Sequence, residues 1–260
     1  MPTIADMRLQ SLAKQLAYSS AGILITLLFS LPAVGQESVS GKLGLSQIEL
    51  QLSRYYGGLD SLEEFRSISL AGKLEQGGET YDVTVFRKRS NLYRVHLERE
   101  GYQRLTIAYD GERAWVKRGP KEAAEYFKPE GGNEWLRVEA LFENPILNNR
   151  LKQPQIKASF GRFESELGQL GQYIINVRYL DGIKQEYYLD AVTLLTVKVV
   201  SHMLDGTTIE TRYSDYRTDL KYPAPTVVEN WVGEKMVNRY TFSEIEINKG
   251  LLIGFFEKPQ

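Results

Sequence analysis

From Arg66 onward, apolar and polar residues alternate with a period of two, the signature of strands with one buried face. Ile68 and Leu70 alternate with Ser67, Ser69 and Ala71, and Tyr81, Val83 and Val85 alternate with Asp82 and Thr84. Tyr93, Val95 and Leu97 follow in the same phase, then Leu105, Ile107 and Tyr109, then a return strand from Glu112 to Lys117. Gly77-Gly78 and Asp110-Gly111 separate these runs. Asp-Gly predicts a two-residue type I′ turn, because both central residues need positive φ. The pattern predicts about five strands in a meander.

A second cluster begins near Ile156. Asp181-Gly182 joins Tyr173–Leu180 to Ile183–Leu189, and Asp190-Ala191-Val192 turns into Thr193–Ser201. Asp205-Gly206 leads to Thr207–Tyr213, and Gly233-Glu234, of II′ type, joins Val227–Val232 to Lys235–Ile247.

The period changes to 3.6 in two places. Ser46 to Tyr56 predicts a helix with a Ser46/Glu49 capping box, a face of Ile48, Leu52, Tyr55 and Tyr56, and a Gly57-Gly58 stop. Asp60 to Phe65 adds one more helical turn. Between the strand clusters, residues 119–155 predict a mobile connection over Pro120–Glu130 and then a helix over Glu134–Phe142. Its N-cap is Asn133, after Gly131-Gly132, and its stop is Pro145. Trp135, Val138, Leu141 and Phe142 share one face, so this helix should cover one side of the sheet. So many strands with so few helices predict a mainly β (α+β) fold. The reading is one domain, residues 36–260, with a curled antiparallel half-barrel sheet and helices on its concave face; a two-sheet sandwich is the competing arrangement.

Ahead of this domain, Arg8 and Lys14 precede an apolar run from Ala21 to Val34, with small residues at Ala33 and Gly35. This is the pattern of a cleavable export signal over residues 1–35. The run is short for a membrane span of about 20 residues. The chain has no cysteine, which closes thiolate chemistry and the lipidated-cysteine route. Export without cysteine fits the periplasm of a Gram-negative-type bacterium.

The remaining composition argues mostly against catalysis. A net charge of -1 gives no general grip on nucleic acid. His96 and His202 are the only histidines, each out of phase with its apolar neighbours, and no His or carboxylate spacing indicates a metal site. Neither GxSxG nor a phosphate-binding loop occurs. Glu164 with Glu166, and Glu244 with Glu246, are carboxylate pairs that a glycosidase could use, but a solvated strand face produces such pairs routinely. Arg87-Lys88-Arg89 is the densest basic run and reads as a strand end, with an anionic headgroup contact as the functional alternative.

Several of these motifs together resemble the periplasmic lipoprotein-carrier (LolA-like) superfamily. They are Tyr109-Asp110-Gly111 followed by Ala114-Trp115; Tyr188-Leu189-Asp190 with Thr193-Leu194 and Lys198; and Tyr55-Tyr56-Gly57-Gly58-Leu59-Asp60-Ser61-Leu62. Tyr213 and Tyr216 before a Pro-rich strand, and Phe255-Phe256 with Pro259, complete a match over residues 50–259. The resemblance implies a non-enzymatic periplasmic carrier of acylated lipoproteins or lipids. It would have no cofactor or metal, act as a monomer, and exchange cargo with inner- and outer-membrane protein partners. Shelter matters physically: exposing an acyl chain of about fifteen carbons costs on the order of 12 kcal/mol. The acyl cavity would be lined by Val83, Val85, Leu105 and Ile107 from strands, by Trp135, Leu141 and Phe142 from the lid helix, and by Trp115 near the rim. The family's lid-locking arginine would be Arg87 or Arg94. A sensor or protein-binding module of the same fold is the main alternative, and a hydrolase the third.

Overall fold

The alternating runs pair into one antiparallel sheet in a computed structural model that describes residues 43–101, 104–127, 132–151, 154–165 and 171–260. The export signal over residues 1–35, Tyr102, Gly131 and Glu166 lie outside the described residues. The strands are β1 (Ser67–Gln76), β2 (Glu79–Lys88), β3 (Leu92–Glu98), β4 (Leu105–Tyr109), β5 (Ala114–Arg118) and β6 (Glu125–Tyr126), then β7 (Ile156–Glu164), β8 (Gln172–Tyr179), β9 (Lys184–Asp190), β10 (Thr196–His202), β11 (Thr208–Arg217), β12 (Ala224–Val232) and β13 (Lys235–Ile247). Helices are α1 (Leu45–Tyr55), α2 (Leu59–Glu64), α3 (Gly132–Ala140) and α4 (Asn148–Leu151), with 3-10 turns at Pro145–Leu147 and Ile253–Phe255. The 13 strands run in the order β6-β5-β4-β3-β2-β1-β13-β12-β11-β10-β9-β8-β7, and the sheet does not close on itself. This is the mainly β, open antiparallel class expected from the alternation, with one sheet and not two. No described helix is long and apolar enough to cross a membrane.

The chain divides into two compact units. The first comprises Ser67–Phe142 and Glu229–Gln260. Register puts Val83 beside Leu97 and Leu97 beside Leu105, while Val85, Val95, Ile107 and Val116 form the next row. All are buried. Gly77 and Gly78 have φ of 60° and 81° and close the β1–β2 turn without a Cβ penalty. At Gly72, opposite Phe242, a Cβ would stand 2.0 Å from the Thr241 carbonyl oxygen, so only glycine lets β1 and β13 approach at this bulge.

The second unit joins the described residues up to Arg66 with Glu143–Val228. Ile48 and Leu52 of α1 are fully buried, as are Ile174, Ile175, Val177, Tyr187 and Leu189 of β8 and β9. Beside α2, the Tyr222 ring lies 4.5 Å from Phe65 and its hydroxyl donates to the Ser61 carbonyl at 2.7 Å.

Four local details differ from the sequence reading. The N-cap of α1 is Gly44, whose N–H donates to Gln47 Oε1 at 2.8 Å; neither Ser46 nor Glu49 serves. In the β4–β5 turn, the Asp110 N–H donates to the Arg113 carbonyl, so the central pair is Gly111-Glu112. The cause is the Asp110 carboxylate, which accepts from the Glu112 and Arg113 N–H groups at 3.0 and 2.8 Å. Within the stretch read as a mobile connection, Glu125 and Tyr126 pair with Val116 and Trp115. Finally, α3 ends at Ala140, and Pro145 opens a buried 3-10 turn instead of stopping the helix.

Candidate functional site

Within the first unit the sheet has two differently covered faces. One face carries Leu70, Leu74, Val83, Val85, Arg87, Tyr93, Leu105, Ile107 and Tyr109, fixed together by cross-strand register. Helix α3 lies against β3, β4 and β5 on this side. Its Trp135, Leu136 and Val138, and Leu141 and Phe142 just beyond it, are buried. The strand and helix residues proposed for an acyl cavity are therefore brought together at one helix–sheet junction.

Two further proposed residues are not. Trp115 pairs with Ala108, and Ala108 with Arg94, which places both Trp115 and Arg94 on the opposite face. The period of two decides this: Val116, one position on, is the residue that joins the α3-covered row. Trp115 is not at a rim; it is fully buried, and its Nε1–H donates to the Phe256 carbonyl at 2.8 Å. Arg94 donates to the Phe255 carbonyl and stacks 4.2 Å from the Phe255 ring. Burial, aided by nearby Arg104, lowers the Arg94 pKa to about 10. The chain's last residues thus cap this second face, with Phe86 and Phe255 rings 4.9 Å apart.

Arg87 faces α3. It is buried, and its guanidinium donates to the Leu141 carbonyl, one of the carbonyls a helix end leaves unsatisfied. Asn91, in the β2–β3 turn with φ of 59°, accepts from the Phe142 N–H at 3.1 Å. Arg89 lies 5.9 Å from the Phe142 ring. The basic run is therefore divided, and both arginines serve the end of the helix. Glu139 of α3 is buried as well. Burial pushes the Tyr93 hydroxyl well above its ordinary pKa, with Tyr240 and Glu139 adding to the rise and Arg87 opposing it. The Tyr240 hydroxyl is raised by burial and by Glu139. A charged and hydroxylic cluster is thus sealed beneath an otherwise apolar cover.

The candidates for catalysis do not converge. His96 lies on the C-terminally capped face, half-buried, with Nδ1 2.9 Å from Thr106 Oγ1 and its ring 5.6 Å from Phe86. Burial, then Arg94 and Arg104, hold its pKa down to about 4. His202 is exposed beside Thr208. Glu164 is paired with Arg162, and Glu246 with Lys249. Glu244 is exposed. Among the described residues no group of three His, Asp or Glu is placed to hold a metal ion.

Sequence reasoning missed a polar network in the second unit. The buried Gln185 Oε1 accepts from the Tyr179 and Tyr187 hydroxyls at 2.6 and 2.9 Å, and its Nε2 donates to Ser201 Oγ at 2.9 Å. Alternation could have flagged it, since Gln185 is in phase with Tyr187 and Leu189.

No family model matches the chain, and no curated protein matches it in sequence. Solved structures do match. A DUF1329 family protein from Desulfovibrio piger is 12% identical, with 82% of this chain and 95% of that one covered and a TM-score of 0.55. A LolA superfamily protein from Nitrosomonas europaea is 14% identical over 84% of this chain and 99% of its own, with a TM-score of 0.54. A putative outer membrane lipoprotein-sorting protein domain from Vibrio parahaemolyticus is 15% identical over 83% and 96%, with a TM-score of 0.47.

Proposed function

We propose, from the premise of a LolA-like fold, that this protein binds and carries acylated ligands, lipoproteins or lipids, in the periplasm. The observation that carries the reading is the junction of α3 with β3–β5. There a helix covers a continuous apolar sheet face and is tied at its end by Arg87 and Asn91. In this reading α3 swings aside and an acyl chain takes the place of Trp135, Leu141 and Phe142 against Val83, Val85, Leu105 and Ile107. The exchange is close to balanced. Each buried methylene is worth about 0.8 kcal/mol and each large apolar side chain about 1.5–3 kcal/mol, so a chain can replace a helix face at little net cost. The sealed Arg87–Glu139–Tyr93 cluster keeps the closed state specific, because opening returns its polar groups to water. The protein works as a binder and not as an enzyme, and Arg87 is the residue that locks the cover; Arg94 and Trp115 instead fasten the C-terminus.

Native mass spectrometry of the protein isolated from the periplasm, before and after organic extraction, tests this. The expected result is an extractable mass excess of one or more acylated molecules. A bare polypeptide mass in both samples, with no uptake of added fatty acid, overturns the reading.

A further inference from the structure

Register lines up four side chains at one end of the second unit's strands. Lys157 of β7 pairs with Arg178 of β8, Arg178 with Lys184 of β9, and Lys184 with His202 of β10. Directly opposed residues share a face, so the four form one row across four strands, about 14 Å long at the usual strand spacing. All four are exposed. Like charges placed opposite one another weaken a sheet, and among the described residues no ion pair relieves Lys157, Arg178 or Lys184. The rows further along the same face are different. Arg162 is paired with Glu164, and Glu210 with both Lys198 and Arg212. Glu186 accepts from the Tyr188 hydroxyl at 2.9 Å. On the other side of the row come the hairpin tips, where Asp181 and Asp205 act as turn caps, accepting from the Ile183 and Thr207 N–H groups at 3.3 and 2.8 Å. Each tip also carries a leucine two residues beyond the row: Leu180, 76% exposed, after Arg178, and Leu204, 59% exposed, after His202. The tips adjoin, since a Cβ on Gly182 would lie 3.3 Å from Leu204 Cδ2. Two exposed aliphatic side chains thus stand at the tips, backed by a row of cations without carboxylate partners.

We infer that this end of the second unit docks on an anionic lipid bilayer: Leu180 and Leu204 enter the headgroup layer while Lys157, Arg178 and Lys184 meet lipid phosphates. The inference goes beyond the acyl-binding reading, uses none of the α3-covered residues, and stands without it. An apolar contact and a basic patch are two signals that together hold a protein at a membrane surface. The leucines favour a bilayer over a soluble polyanion, which offers them no apolar partner. A bilayer also supplies many phosphates in one plane, which suits cations set in a single row.

Co-sedimentation of the protein isolated from the periplasm with lipid vesicles tests this. Binding is expected to vesicles of equal parts phosphatidylglycerol and phosphatidylethanolamine, to fall steeply as salt is raised, and to be far weaker on phosphatidylcholine alone. Each Lys or Arg near an anionic surface strengthens binding about fivefold, so Lys157→Gln, Arg178→Gln and Lys184→Gln together should weaken it about a hundredfold. That variant should melt no lower than the wild type, since it relieves like charges. Leu180→Ser with Leu204→Ser should also weaken binding to the anionic vesicles. The same loss of three charges at exposed Lys73, Lys121 and Lys249 should leave binding as in the wild type. Absence of binding, equal binding to both kinds of vesicle, or full binding by the folded row variant overturns the proposal. So does capture by polyglutamate without vesicle binding, which reassigns the row to an acidic protein partner. None of these outcomes bears on the native-mass test of acyl binding.

Discussion

Arg87, on the second strand, donates a hydrogen bond to the main-chain carbonyl of Leu141, immediately beyond the helix that covers its face. A charged donor inside an apolar junction both caps the helix end and fixes where that end sits. Hydrogen bonds to charged groups contribute about 1.5–3 kcal/mol. In Arg87→Met, which keeps much of the packing volume, urea unfolding should show a loss of roughly that size. Stopped-flow uptake of an apolar fluorophore should become faster, because the cover opens more readily. Slower or unchanged uptake would remove Arg87 from its locking role.

The His96 pKa of about 4, against an ordinary value of 6.5, makes stability depend on pH in a defined direction. The unfolded chain takes up a proton below the ordinary value while the folded chain does not. Stability from this group is therefore complete above 6.5 and declines as pH falls from 6.5 toward 4. Because the ring is partly exposed, the loss should be on the order of 1–2 kcal/mol. Thermal melts of wild type and His96→Gln between pH 7 and 4 should converge as pH falls. Parallel curves would refute the assignment.

The strap formed by the last residues should be separable from the helix-covered face. Trp115→Phe removes the donor to the Phe256 carbonyl and part of a buried ring, and should cost roughly 1–3 kcal/mol. Limited proteolysis should then release a peptide from beyond Ile247 more rapidly, with little change in apolar probe uptake. An equal change in uptake would show that the two faces are coupled.

Gly72→Ala should be among the most damaging small substitutions. The added methyl would meet the Thr241 carbonyl at 2.0 Å and the Phe242 Cα at 2.7 Å, both main-chain atoms that cannot rotate away. A cost of roughly 2–4 kcal/mol is expected in urea unfolding, since β1 and β13 must separate locally. A cost below about 0.5 kcal/mol, the range of neutral surface changes, would contradict this close approach.

Most of the sheet was legible because alternation is a local property. Val83, Val85, Leu105 and Ile107 share a phase that register then turns into a shared face. The helical stretch around Trp135 was legible for the same reason. What the local pattern could not convey is which face another segment covers. Trp115 is large and apolar, so it was grouped with the helix-facing residues, yet its partner is Phe256, 141 positions away. Arg87 and Arg94 could not be told apart as candidates until pairing put them on opposite faces. The Asp110 turn slipped by one position because a carboxylate competes with the backbone for N–H groups, a choice that dipeptide rules do not encode.

A ribbon of strands that never joins its own ends leaves two unzipped margins, and each is guarded differently. On one side β6 is only two residues long, too brief to template a newcomer. On the other, β7 is nine residues long but kinks beside Gly161 and carries Lys157, Arg162 and Glu164. Charge and a kink of this kind discourage a foreign strand from docking. Neutralising that margin, for example with Lys157→Thr and Arg162→Thr together, should leave the chain prone to stack edge to edge, visible as concentration-dependent light scattering at an unchanged melting temperature.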